Sequence, residues 1–129
     1  MAKIEHFAIY AAVDEVAALK DFYLDAFAMR IAIDNGAGDP PGYFLVDDAG
    51  LALELIGRPV ASAAVNPRWA YHLAFWTDDF SATEASLATR GIVFETETRV
   101  DSDDLKTSFF LDPAGNRCQI VWRNKRIKL

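Results

Sequence analysis

The chain has 129 residues, of which 52% are hydrophobic and 12% are aromatic, so its length and composition predict one compact domain with a substantial core. Nineteen acidic and thirteen basic residues leave a net charge of -6. This charge opposes non-specific attraction to nucleic acid and to anionic membranes, and we expect neither as a partner.

The single cysteine, Cys118, cannot form an intrachain disulfide, and the opening sequence MAKIEHFAIY lacks the apolar core of a signal peptide. No apolar stretch reaches the length that crosses a bilayer. We therefore expect a cytoplasmic protein. A short basic run near the C terminus is typical of a solvated end. Its members are Arg123, Lys125, Arg126 and Lys128.

The first half alternates between strand and helix signals. Residues 4–11 predict a strand, and the apolar spacing after Asp14, a suitable N-cap, predicts a helix that ends near Met29. Further strands are expected at 29–34, 43–46 and 51–56, the last two joined by the turn DDAG. The stretch DNGAGDPPG between 34 and 42 predicts a loop and a candidate lid.

The same order returns after a proline-bearing linker, GRPVASAAVNP. Residues 70–77, AYHLAFWT, predict a strand, and residues 79–90 predict a helix that Gly91 stops. Strands are then expected at 92–98, 105–111 and 117–122, with DPAGN as a turn.

The two halves also match residue by residue. Setting YFLVDDAGLALELI over SFFLDPAGNRCQIV aligns Phe44 with Phe109 and Glu54 with Gln119, at a constant offset of 65 positions. We infer a duplication and predict an α+β fold of two βαβββ modules. The first module is 1–57, the linker 58–67 and the second module 68–129.

Strand alternation places a histidine on one face of each opening strand. His6 shares its face with Ala8 and Tyr10, and His72 shares its face with Ala74 and Trp76, while the opposite, apolar faces pack on the helices. A lone strand histidine is more often a core residue, and a lone Glu54 can be an edge residue that faces water. Four polar groups at repeat-related positions instead favour a divalent metal site on the axis between the modules. These groups are His6, Glu54, His72 and Gln119.

The sequence resembles the vicinal oxygen chelate superfamily, which includes glyoxalase I, extradiol dioxygenases, fosfomycin-resistance thiol transferases and bleomycin-binding proteins. The resemblance rests on ALEL, YHLAF and FFLDPAGNRCQIV. It implies paired βαβββ modules that form an eight-stranded cup around a central cavity, and a homodimer. Module pairing within one chain and pairing across the dimer are both open. The implied metal ligands are His6, Glu54, His72 and Gln119, holding Fe, Mn, Co, Ni or Zn.

The ligand pattern looks most like that of glyoxalase I, with two departures. Gln119 stands where glyoxalases usually have a glutamate that is both ligand and base, and an amide coordinates metal but cannot act as a base. Glu54 is therefore the predicted catalytic base. Tyr10 stands where bacterial glyoxalases often place an arginine for the carboxylate of glutathione, so we expect a different substrate.

These residues predict a small metal-dependent enzyme, lyase- or isomerase-like, that chelates an oxygenated substrate through two oxygens and transfers a proton. Tyr10, Trp76 and Phe109 are the predicted substrate-binding residues, although the same aromatics can simply close the core. The alternative function is a metal-free binding or sequestration protein of the bleomycin-resistance type with an aromatic pocket. Cys118 is expected in the core rather than as a nucleophile.

Overall fold

The structure is a computed structural model that describes residues 3–58 and 71–127. The chain divides into two compact units, and each has the element order βαβββ. The predicted α+β fold class and the duplication of the βαβββ module are therefore confirmed. Within the described residues, no helix is both long and apolar enough to span a membrane.

The first module is a four-stranded mixed sheet with one helix. Its elements are β1 (Phe7–Ala12), α1 (Val16–Phe27), β2 (Arg30–Asn35), β3 (Gly42–Val46) and β4 (Ala52–Arg58). The strand order is β1-β4-β3-β2, with β1 and β4 parallel and the other neighbours antiparallel. The first and last strands of the module are therefore direct neighbours.

The second module repeats this arrangement. Its elements are β5 (Leu73–Trp76), α2 (Phe80–Thr89), β6 (Val100–Asp101), β7 (Leu105–Leu111) and β8 (Arg117–Arg123). The strand order is β5-β8-β7-β6, and β5 pairs with β8 in parallel. Both modules thus bring their opening strand beside their closing strand.

The two faces of each sheet differ in burial, as strand alternation predicts. In β4, Leu53 and Leu55 are buried, while Glu54 between them is half-buried. In β8, Cys118 and Ile120 are fully buried, which confirms the predicted core position of the cysteine, and Gln119 points the other way. α1 packs on β4 and α2 on β8, so the polar positions lie on the faces turned away from the helices.

Two predicted boundaries are wrong. Asp14 does not cap α1: the N-cap is Glu15, whose side chain makes no capping bond, because a turn from Ala12 to Glu15 delays the helix. Arg58, assigned to the linker, belongs to β4 and pairs with Ala12. Linker residues 59–67 and the predicted start of the second module at 68 lie outside the described residues.

The predicted strand at 92–98 is also wrong. Phe94 makes only an isolated bridge to β7, the Glu95 amide donates to a carbonyl of the same strand, and the chain then turns before β6. Thr98 Oγ1 donates to Glu95 Oε1 at 2.9 Å. This local side-chain hydrogen bond favours a turn over a continuous ladder.

Repeat-related turns fix the register of the closing strands. Gly50 and Gly115 have φ values of 85° and 89°, a left-handed conformation that glycine adopts without steric cost. Asp47 Oδ1 accepts from two amides of its turn at 3.0 and 2.9 Å, and Asp112 Oδ1 accepts from the Asn116 amide at 2.9 Å. The turn residues predicted from DDAG and DPAGN therefore hold β4 and β8 in place beside β3 and β7.

Candidate functional site

The first module brings together the two site residues that the sequence assigned to it. His6 lies directly before β1 and Glu54 in the middle of β4, and His6 Nε2 is 3.3 Å from Glu54 Oε1. The side chains are 33% and 25% exposed, so the pair is open to a ligand. His6 Nδ1 lies 3.0 Å from Glu5 Oε1, which orients the ring.

The second module holds His72 in a different way. His72 lies directly before β5 and meets Phe109 edge to face, with ring centroids 5.0 Å apart and planes at 85°. The repeat-related pair of His6 and Phe44 has almost the same geometry, at 5.1 Å and 84°. Unlike His6, the His72 ring has no hydrogen bond or ion pair with any described residue. His72 is exposed, and its recorded contact within the described residues is this one with the Phe109 ring.

Gln119 lies beside this ring pair. In β8 it pairs with Phe109 on one side and with Ala74 of β5 on the other. Its Nε2 donates to Thr107 Oγ1, which uses the donor end of the amide. The carbonyl oxygen is the end that can coordinate a metal.

The donor set fits a divalent cation by its chemistry, because imidazole nitrogen with carboxylate and amide oxygen suits first-row ions. Among residues 3–58 and 71–127, no group of three or more His, Cys, Asp and Glu side chains is close enough to hold an ion. His6 and Glu54 thus form a two-donor half-site. The joining of this half-site with His72 and Gln119 involves both modules and stays a prediction.

Each predicted substrate-binding aromatic of an opening strand is covered by an arginine. The Arg58 guanidinium lies 4.4 Å from the centroid of the Tyr10 ring, and that of Arg126 lies 4.6 Å from the Trp76 ring. Arg126 is exposed, in agreement with the predicted solvated end, and makes this ring contact from the surface. Arg58 ends β4, whereas Arg126 follows β8, and the repeat offset of 65 positions aligns Arg58 with Arg123 rather than with Arg126.

Sequence reasoning missed one buried ion pair near Gln119. Arg117 is 3% exposed, and its Nε and Nη2 lie 3.0 and 3.1 Å from the two carboxylate oxygens of Glu95. The Arg117 guanidinium is 4.0 Å from the centroid of the Phe109 ring. Alternation in RCQIV places Arg117 on the same face as Gln119, a signal that was present in the sequence.

The comparisons agree with this architecture. The sequence matches the model of the Glyoxalase/Bleomycin resistance protein/Dioxygenase superfamily over residues 3–120. The chain belongs to this superfamily. No curated protein matches the sequence. The membership confirms the predicted superfamily, which contains both metalloenzymes and binding proteins.

Three solved structures of the superfamily illustrate the likeness. A glyoxalase/dioxygenase from Nostoc punctiforme has a TM-score of 0.74 at 20% identity, covering 95% of this chain and 92% of that one. FosX, a fosfomycin resistance protein from Listeria monocytogenes with bound Mn(II) and sulfate, has a TM-score of 0.72 at 12% identity. The match covers 93% of this chain and 89% of that one. TnmS3, an antibiotic binding protein from a Streptomyces species, has a TM-score of 0.68 at 21% identity. The match covers 96% of this chain and 99% of that one. At these identities the likeness shows the fold.

Proposed function

We propose that this chain is a metal-dependent enzyme that chelates a small oxygenated substrate and transfers a proton, in the manner of a lyase or isomerase. The observation that carries the proposal is the pairing of His6 Nε2 with Glu54 Oε1 at 3.3 Å on the face turned away from α1. Imidazole and carboxylate at this distance can share one cation. The proposed ligands are His6, Glu54, His72 and Gln119, and the metal is Fe, Mn, Co, Ni or Zn.

The residues divide the chemistry between them. A bound divalent ion would supply Lewis-acid polarisation of two vicinal substrate oxygens. Glu54 is the proposed base, because Gln119 has no proton-accepting carboxylate and the Glu54 side chain is open to a ligand. Two neutral imidazoles, one carboxylate and one amide leave a formal charge of +1 with the ion. Compared with a second carboxylate, Gln119 should lower metal affinity and raise Lewis acidity.

The likeness to glyoxalase I is part of the proposal, without glutathione as a cosubstrate. Tyr10 offers no fork of donors from β1 for a carboxylate, and its ring is already covered by Arg58. We expect no turnover of the hemithioacetal of methylglyoxal and glutathione. The proposal also includes a cytoplasmic homodimer and an eight-stranded cup formed by the two modules. Light scattering and small-angle X-ray scattering test the mass and the shape.

The first test is the metal content per chain after purification without chelator, for wild type, His6→Ala and His72→Ala. We expect near-stoichiometric metal in wild type and its loss in both variants. A metal-free wild type that also fails to bind added Fe²⁺, Co²⁺, Mn²⁺, Ni²⁺ and Zn²⁺ would overturn the proposal. Glu54→Gln should then abolish turnover of any identified substrate with the fold intact. Glu15→Gln is the matched control, since it makes the same change at an exposed carboxylate whose side chain makes no capping bond.

The second candidate function is metal-free binding of a flat ligand, and the stacks of Arg58 on Tyr10 and of Arg126 on Trp76 favour it. A guanidinium over an aromatic ring offers both a planar surface and a positive charge, which suits an anionic aromatic compound. Naphthoate is a suitable probe. This function predicts quenching of tryptophan fluorescence by naphthoate in metal-free protein, lost in Trp76→Ala and retained in Trp122→Phe.

A further inference from the structure

We infer that Arg117 is a positioning residue for His72, acting through the ring of Phe109. The inference rests on the proposed ligand role of His72. Three contacts link the residues: the Glu95 carboxylate holds Arg117 at 3.0 and 3.1 Å, Arg117 lies 4.0 Å from the Phe109 ring, and Phe109 packs against His72 at 5.0 Å. All four residues belong to the second module.

The strand register explains why these side chains meet. β5 runs parallel to β8 with Leu73 opposite Cys118, so His72 comes level with Arg117 where β5 begins. Phe109 pairs with Gln119 on the other side of β8. Arg117, Gln119 and Phe109 therefore share one face by alternation. Phe109 is half-buried between the Arg117 guanidinium and the exposed His72 ring.

His72 needs such support more than His6 does. A metal-ligating histidine is usually oriented by a hydrogen bond at its second ring nitrogen. His6 has Glu5 and Glu54 close to its ring nitrogens, whereas no described residue forms a hydrogen bond or ion pair with His72. Among the described residues, the edge-to-face contact with Phe109 is therefore the interaction that we assign to orienting the His72 ring, and Arg117 is the residue that we assign to restraining Phe109.

The duplication shows that this arrangement is specific to the second module. The offset that aligns Phe44 with Phe109 aligns Ala52 with Arg117, so the first module has no equivalent cation. The module with the arginine is also the one in which the amide of Gln119 replaces the expected carboxylate. A glutamate at 119 would share a sheet face with Arg117, two residues away, and would compete with Glu95 for the guanidinium.

Glu95 makes a buried cation compatible with metal binding. Arg117 is 3% exposed, so its unpaired charge would be costly and would repel a divalent ion nearby. The bidentate pair with Glu95 neutralises it, and Thr98 Oγ1 adds a hydrogen bond to the same carboxylate at 2.9 Å. The guanidinium therefore acts as a planar brace for Phe109, a role that the ammonium of lysine cannot perform.

Arg99 provides a matched control in the same module. It also forms a fork with a carboxylate, Glu84, at 3.2 and 3.1 Å, and it lies 5.6 Å from the ring of Phe80. This pair shares the chemistry of Arg117 and Glu95 without a histidine beside the ring. Arg117→Lys and Arg99→Lys therefore make the same change with and without the proposed consequence.

The first measurement uses metal-free protein. The chain has two histidines, so NMR resolves the ring protons of each. In wild type, the His72 ring protons should be displaced by the ring current of Phe109. We expect Phe109→Leu and Arg117→Lys to move these signals toward those of an unstructured histidine, with His6 unchanged, and Arg99→Lys to move neither. Unmoved His72 signals in folded Arg117→Lys and Arg117→Met would overturn the inference.

The second measurement is Co²⁺ affinity by titration and by the absorption spectrum of the bound ion. Changes around a ligating histidine typically weaken metal binding by about 10- to 100-fold, and we expect a loss in that range for Arg117→Lys and Phe109→Leu but none for Arg99→Lys. Wild type that binds Co²⁺ through His72, with unchanged affinity in Arg117→Lys, would refute only the positioning role. Failure of wild type to bind any of the five proposed ions would refute the proposed function, and the NMR comparison would still decide whether Arg117 orients His72.

Discussion

Glu95→Gln should destabilise the protein more than a chemically identical change elsewhere in the second module. The substitution keeps the shape of the side chain but removes the charge that neutralises Arg117. Breaking a buried ion pair by removing one partner costs about 3–5 kcal/mol. Because the Glu95 side chain is 20% exposed, we expect a loss of about 2–3 kcal/mol, at or just below the lower bound of that range.

Urea unfolding followed by far-UV circular dichroism measures this loss. With an m-value of about 1–3 kcal/mol/M, the urea midpoint should fall by roughly 1–3 M. Glu84→Gln breaks the more exposed fork to Arg99 and should cost at most about 1 kcal/mol. Adding Arg117→Met to Glu95→Gln should restore much of the stability, since no unpaired charge remains. Equal midpoints for Glu95→Gln and Glu84→Gln would refute the reasoning.

Two further predictions concern stability. Asp79 caps α2 by accepting a hydrogen bond from the Ala82 backbone amide at 3.1 Å, so Asp79→Ala should lower the free energy of unfolding in urea by about 1 kcal/mol. Glu15→Ala at the N-cap of α1 should cost much less, because Glu15 makes no side-chain cap bond, and equal losses in the two variants would contradict this. The hydroxyl of Ser108 is buried and has no hydrogen-bond partner among the described residues. Ser108→Ala should therefore leave the free energy of unfolding unchanged or raise it. A loss of more than about 1 kcal/mol in that free energy would show that the hydroxyl has a partner.

The fold was readable from the sequence because each module repeats its signals. The alternation around Glu54 and around Gln119 separated the helix-packed face from the polar face correctly. Gly50 and Gly115 marked turns whose left-handed backbone was confirmed. These features are local: a strand alternates every two residues and a turn spans only a few. Such patterns can be recognised in a single sequence.

Features that depend on distant partners were not readable. Glu95 and Arg117 are 22 positions apart, and neither has a local pattern that announces the pair. The wrong strand at 92–98 involves the same carboxylate. Glu95 also accepts a hydrogen bond from Thr98, and this segment turns instead of continuing the sheet. The contact of Arg126 with the Trp76 ring was not predicted, because nothing in the exposed tail itself reveals that partner.

The parallel pairing of β1 with β4 has a consequence for folding. His6 and Glu54 are 48 positions apart, so their contact closes a long loop and forms only when the last strand of the module docks beside the first. Contacts of this kind form late and slow the folding of a chain. The His6–Glu54 half-site therefore exists only when the first module is fully folded. A cation that binds both side chains binds only this folded module and shifts the folding equilibrium toward it by mass action.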